Sequence, residues 1–186
     1  PGERMNNCIG LIEVTSIAAG FEAGDAMIKA ASIELLLARS ICSGKYMVLI
    51  GGEVANVEAS IEAGATTAQG CLIDRFVIPN IHPDVFRAIS RTEIPPLEGA
   101  LGILESFNVA TLIEAADVAV KAAAVRLLEV RLAMAMGGKA FCTMTGDVAA
   151  VQASVAAGRA VIAKRGLLVN AVVIPRPSPE LYRELV

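Results

Sequence analysis

Much of what usually gives a function away is missing from this 186-residue chain. It holds a single histidine, His82, beside Pro83 in a turn, and aromatics make up only 4% of it. One histidine without an evident partner leaves no nucleophile–base–orienter set to assign, so ordinary catalysis is not expected. The four cysteines, Cys8, Cys42, Cys71 and Cys142, include no C-x-x-C pair. A single chain therefore offers no conventional zinc or cluster framework. Walker and Rossmann glycine patterns are absent. Gly51-Gly52 precedes a helical segment, as a phosphate cradle would, but Glu53 and Asp147 place a carboxylate in the first turn, where it repels phosphate. A formal net charge of −3 gives no basic footprint for nucleic acid. No uncharged run reaches the roughly 18 to 20 apolar residues that span a bilayer, so no membrane partner is expected. A basic segment followed by an apolar core and a cleavage site is also lacking, so no secretory leader is read and disulfides are not expected.

Apolar residues, in contrast, are plentiful, at 55% of the chain with a mean hydropathy of +0.61. Surface in excess of what a small core can bury has to go into protein–protein contacts.

The chain also repeats itself. Ile9-Gly10-Leu11-Ile12-Glu13 returns as Leu101-Gly102-Ile103-Leu104-Glu105, 92 residues on, and Lys29-Ala30-Ala31 returns as Lys121-Ala122-Ala123. Gly44-Lys45 matches Gly138-Lys139 at an offset of 94, and Val77-Ile78-Pro79 matches Val173-Ile174-Pro175 at 96. A drift of two residues at a time, between periodic segments, is the mark of loop insertions in a duplicated domain. The copies span residues 6–89 and 97–186, joined by a linker at 90–96 that carries Pro95-Pro96. Units this small bury a limited share of their surface alone and call for a partner.

Each copy reads as βαββαβ with a terminal helix, an α/β (α+β) arrangement of ferredoxin-like character. Cys8 to Val14 is a strand, and Ser16 caps a helix whose apolar face is Ile17, Phe21 and Ile28, with Gly24 on the same stripe for close packing. Asn108 caps the sister helix, which carries Val109, Ile113, Ala116 and Val120. Strand pairs follow at 33–41 and 46–50, and at 125–133 and 140–145, joined by tight turns. A second helix, with Val57 and Ile61 or Val151 and Val155, leads to a last strand, and helical tails begin near Pro83 and Pro179.

Taken together, the Gly-x-(Ile/Leu)-Glu strand, the Glu-Ala-Gly-Asp-Ala-Met-Ile-Lys-Ala-Ala helix, the Gly-Lys strand start and the Ile-Pro-Arg-Pro-Ser ending are specific. The chain resembles the bacterial microcompartment shell-protein domain, and both copies match. Within that family it is most similar to the unpermuted tandem shell proteins, in particular the iron–sulfur type of propanediol-utilisation compartments. The resemblance implies a homotrimer that acts as a pseudohexameric tile, located in a microcompartment shell within the cytoplasm, structural and not an enzyme. Its implied partners are other shell proteins and, inside, encapsulated enzymes.

The same resemblance implies that Ser40-Ile41-Cys42-Ser43-Gly44-Lys45 supplies one cysteine per chain to a [4Fe–4S] cluster, one per trimer, for electron transfer or cluster delivery across the shell. Closed three-fold symmetry would make one thiol into three. Copy two places Met134 or Met136 near this position. Ile41, Cys42, Ser43 and Gly44, with Met136, Gly137 and Gly138, are then the pore-lining residues, and Cys42 is the metal ligand. Cys8, Cys71 and Cys142 read as structural thiols. Tile-edge contacts are assigned to Lys29 and Lys121 at matching helix positions, to Arg176 pinned between prolines, and to Asn80 at its counterpart in copy one. Two other readings stay open: a cluster-free tile whose pore passes small metabolites, and a soluble trimeric ligand-binding or regulatory protein.

Overall fold

The computed structural model describes residues 7–41, 44–91, 95–132 and 139–185, in two compact units that divide between Ile81 and His82. Unit 1 holds β1 (Cys8–Val14), α1 (Ile17–Ala30), β2 (Glu34–Ile41), β3 (Lys45–Gly52), α2 (Val54–Thr67) and β4 (Leu72–Pro79). Unit 2 opens on α3 (Pro83–Ser90) and continues through β5 (Ala100–Ser106), α4 (Val109–Ala122), β6 (Val125–Leu132), β7 (Ala140–Gly146), α5 (Val148–Lys164), β8 (Leu168–Ile174) and α6 (Pro179–Leu185). Each unit carries a four-stranded antiparallel sheet, in the order β2-β3-β1-β4 or β6-β7-β5-β8. This is the ferredoxin-like order that the repeated βαββαβ pattern predicts.

The two frames share their strand registers. In β2 the register shifts between Leu35 and Leu37, and in β6 at the equivalent place, between Leu127 and Glu129. A slip of one residue would turn each strand's apolar set to the wrong face, so a shared bulge shows that both copies keep one pairing. The helix caps agree as well. Ser16 Oγ accepts from the Ala19 N–H at 3.3 Å, and Asn108 Oδ1 accepts from the Thr111 N–H at 2.8 Å.

Helices meet sheet and one another across small residues. A Cβ on Gly10 would come within 2.6 Å of Val57, and one on Gly102 within 2.7 Å of Val155, so these strands admit the second helix only because glycine is there. Gly64 of α2 and Gly158 of α5 take the same place at the helix–helix contacts. A Cβ at 64 would press on the flexible end of Met27, whereas one at 158 would lie 3.0 Å from the Ala115 carbonyl oxygen as well as against Leu104. Backbone cannot give way as a methionine can.

This close approach overturns the face assigned to α1. Its buried residues are Gly20, Ala23, Gly24 and Met27, while Ile17, Phe21 and Ile28 lie outward, Phe21 at 65% exposed. The glycine that needs its small size is Gly20, set against the Tyr46 ring, and not Gly24, where a Cβ would meet only ordinary contact with Val48. The ring of Phe21 lies tilted beside Tyr46, with centroids 4.9 Å apart. In α4 the expected face holds: Val109, Ile113, Ala116 and Val120 are all buried.

The tail of the first copy also lands elsewhere than its sequence position implies. The repeat assigns residues up to 89 to copy one, yet α3 packs on β6 and against α4, inside unit 2. Val85 and Ala88 of α3 are buried there.

An alanine in a helix interior ordinarily gains up to about 1 kcal/mol over glycine. Gly158→Ala is expected to lose about 1–3 kcal/mol instead, because of the Ala115 carbonyl. Gly64→Ala should cost less. Denaturant unfolding of both variants and the parent at one protein concentration checks the order.

Candidate functional site

The first region of interest is the pair of β-hairpins between the middle strands of each unit. Ile41 is buried and pairs with Lys45, the first residue of β3; in unit 2, Leu132 pairs with Ala140. Cys42 and Ser43 lie between Ile41 and Gly44 in sequence, outside the described residues, as do Met134, Met136, Gly137 and Gly138. Gly44 is described: it is exposed, with φ +73°, a conformation that favours glycine and closes the turn.

An ion pair pins the base of each hairpin. Lys45 Nζ donates to Glu13 Oε1 at 2.7 Å, and Lys139 Nζ to Glu105 Oε1 at the same distance. Glu13 is buried and Lys45 partly so, so removing the lysine would leave a buried carboxylate uncompensated, which costs more than breaking a surface bridge. The glutamate of the central strand and the lysine after the turn are both repeated in sequence, and that double repetition is the signal that could have joined them.

Three cysteines are described, all as free thiols. Cys8 and Cys142 are fully buried in β1 and β7. Burial, helped by the charge of Glu58, pushes the Cys8 thiol up to about 11. Burial takes Cys142 to about 12, slightly offset by a hydrogen bond with the Leu104 backbone. Neither is a ready thiolate. Cys71 is half-buried just before β4, where its N–H donates to the Ala68 carbonyl and its own carbonyl accepts from Thr15. Among the described residues no group of three His, Cys, Asp or Glu side chains is placed to hold a metal ion. Nor is any described helix long and apolar enough to cross a membrane.

The second region is the last turn of the first helix in each unit. Lys29 and Lys121 reach the aspartate one turn earlier, Nζ to Asp25 Oδ2 and to Asp117 Oδ2, each at 2.5 Å. The Asp25–Lys29 pair is open to solvent, whereas Asp117 is buried. Asp117 spends its second oxygen on the backbone N–H of His82 at 2.7 Å, and so holds the start of α3. His82 is thereby accounted for structurally: its ring Nδ1 accepts from the Asp84 N–H and caps α3. Sequence reading passed over both aspartates, although the Asp–Lys spacing of four residues occurs in each copy. Asn80 follows β4 with φ +54°, and Arg176 is exposed after β8. Lys29 and Lys121 thus lie in the last turns of their helices, and Asn80 and Arg176 just past the exits of β4 and β8, each within its own unit.

With the geometry in place, the comparisons are direct. The BMC domain matches this chain twice, at residues 8–81 and 100–177. The microcompartment shell protein PduT of Citrobacter freundii is 43% identical over 98% of this chain and 99% of its own length. EutM, a microcompartment shell protein of Salmonella typhimurium, is 44% identical over 41% of this chain and 82% of its own length. A crystal structure of a microcompartment protein from Desulfitobacterium hafniense DCB superposes with a TM-score of 0.93 at 52% identity, covering 96% of this chain and 99% of that one. Its first match ends at Ile81, where the compact units divide, and its double match spans the four-stranded frame of each; the chain therefore belongs to the BMC-domain family of microcompartment shell proteins and carries that domain twice.

Proposed function

We propose that three copies of this chain close into a ring of six like domains, a flat tile that joins others laterally in a microcompartment shell. Membership of the family makes the chain a structural shell protein of a bacterial microcompartment. The observation that carries the ring is the pair of matched sheets with one register and one bulge position, since two equivalent wedges per chain give six from three. Surplus apolar surface on α1 gives such a ring its driving force.

We further propose that Cys42 of each chain is the ligand of one [4Fe–4S] cluster per trimer. The donor set fits. Cys8 and Cys142 are locked in the core with thiols raised to about 11 and about 12, and Cys71 stands apart at the entrance to β4. Cys42, outside the described residues, stands in sequence just after the end of β2 and before β3, and three-fold symmetry would turn one such thiol into three. A bound cluster there would supply one-electron transfer or be handed on as cargo. The chain's own share is to hold the hairpin: the Glu13–Lys45 pair fixes its base, buried Ile41 anchors the incoming strand, and Gly44 allows the turn.

Anaerobic reconstitution with iron and sulfide should give a brown protein with a broad visible band, and Cys42→Ser should lose it. If the serine variant binds as much iron as the parent, Cys42 is not the ligand, and if the parent binds none, the tile is a cluster-free one. Brief alkylation of the native protein at pH 8 should leave Cys8 and Cys142 unlabelled by mass spectrometry until denaturant is added. At the tile edge, Arg176→Glu should leave trimers intact in solution but remove the sheets or tubes that the parent forms at high concentration. Sheets of unchanged extent under the electron microscope would place the edge contact elsewhere.

A further inference from the structure

The repeats share a frame but not a state of burial. In unit 2, β6 is covered: Leu127 is 4% exposed, Leu128 and Val130 are buried, and α3 packs on this strand. In unit 1 the equivalent strand β2 is open, with Leu35 at 44%, Ala38 exposed and Leu36 only half-buried. Asp117, which receives the first N–H of the α3 segment, is buried, whereas its counterpart Asp25 is exposed. On the covering side the asymmetry is reversed. Val85 of α3 is fully buried, and Leu181, its counterpart two residues after the helix-starting proline of α6, is 43% exposed.

There is thus one docked tail and one docked strand, and beside them one undocked tail and one undocked strand of the same design. The undocked tail is not loose. Tyr182 holds α6 in place by donating its hydroxyl hydrogen to the Pro95 carbonyl at 2.5 Å, and Ser178 Oγ accepts from the Leu181 N–H at 3.2 Å. Leu181 is presented to solvent on a helix that is already formed, which lowers the entropy lost on docking. The receiving side is complementary in polarity too. Asp25 uses Oδ2 on Lys29, and its Oδ1 corresponds to the oxygen with which Asp117 accepts the His82 N–H. Ser178 stands before Pro179 as His82 stands before Pro83.

From these equivalences we infer that α6 of one copy docks on β2 and the last turn of α1 of a second copy, Leu181 against Leu35 and Leu36, and the Ser178 N–H on Asp25. The joint repeats between chains what α3, β6 and α4 make within one. It is heterologous, each copy giving a tail and receiving one, so it closes a ring when the rotation fits. The inference rests on the ring proposed above and names the contact that holds it.

Sedimentation of the full-length parent, Leu181→Asp and Leu35→Asp tests it, with circular dichroism to confirm that each variant is folded. Both positions are exposed in the isolated chain, so the fold should survive. The parent should be trimeric, and each variant should need at least a tenfold higher concentration to associate. If the parent is a monomer, the ring itself fails. A trimeric parent with equally trimeric variants leaves the ring standing and overturns this joint. Should either variant fail to fold, hydrogen exchange on the parent decides. Amides of β2 and α6 gaining protection together as concentration rises support the joint, and protection that does not change on dilution overturns it.

Discussion

The close approach of helices to sheet through small residues governs most of what this molecule does. Gly20 and Ala23 of α1, with Gly64 of α2, let the backbones come near enough to shut water away from the central strands β1 and β3. The geometry has a second effect. A helix that turns its small residues inward must turn its large ones outward, and Ile17, Phe21 and Ile28 are left on the exposed side of α1. A protein of this composition therefore folds into units that are well packed and still apolar outside. Shell building follows from that surplus more directly than from any reactive group.

Duplication adds to this a way of varying one copy while keeping the frame. Strand register, bulge position, helix caps and the hairpin-base ion pair are all held in common. The copies diverge where the chain turns: Cys42-Ser43-Gly44 in the first hairpin against a longer, methionine-containing stretch in the second. They diverge also at strand exits, Asn80 against Arg176. A homohexamer must repeat any change six times, whereas a duplicated chain can place a group at alternate positions. A cluster with three protein ligands calls for that arrangement.

How much of this could be read beforehand depended on range. Ser16 and Asn108 were legible as caps because capping is settled within three residues. The strands, their order and the buried state of Cys8 and Cys142 followed from alternation and from the repeated motif. The face of α1 was misread because large side chains dominate an amphipathic pattern, and such a pattern does not tell a core from an interface. The pairing of Glu13 with Lys45 was missed since it joins residues on neighbouring strands, and the place of α3 because it depends on β6, far along the chain. The hairpin residues at the heart of the redox proposal rest on resemblance and on the geometry of their flanks.

The docking of α3 on β6 bears on how this protein could be taken apart. Its covalent neighbours are the first sheet, through β4, but its solvent shield is the second. A gene cut at the proline-containing linker would leave Val85 and Ala88 stranded on a fragment with nothing to cover them, and would bare β6 on the other. The natural seam for excision lies at Ile81 and His82, before the tail and not after it. On the ribosome the same feature imposes an order. The tail emerges early and stays wet until β5, α4 and β6 have all been made, so the second half of the chain must complete the burial that the first half begins.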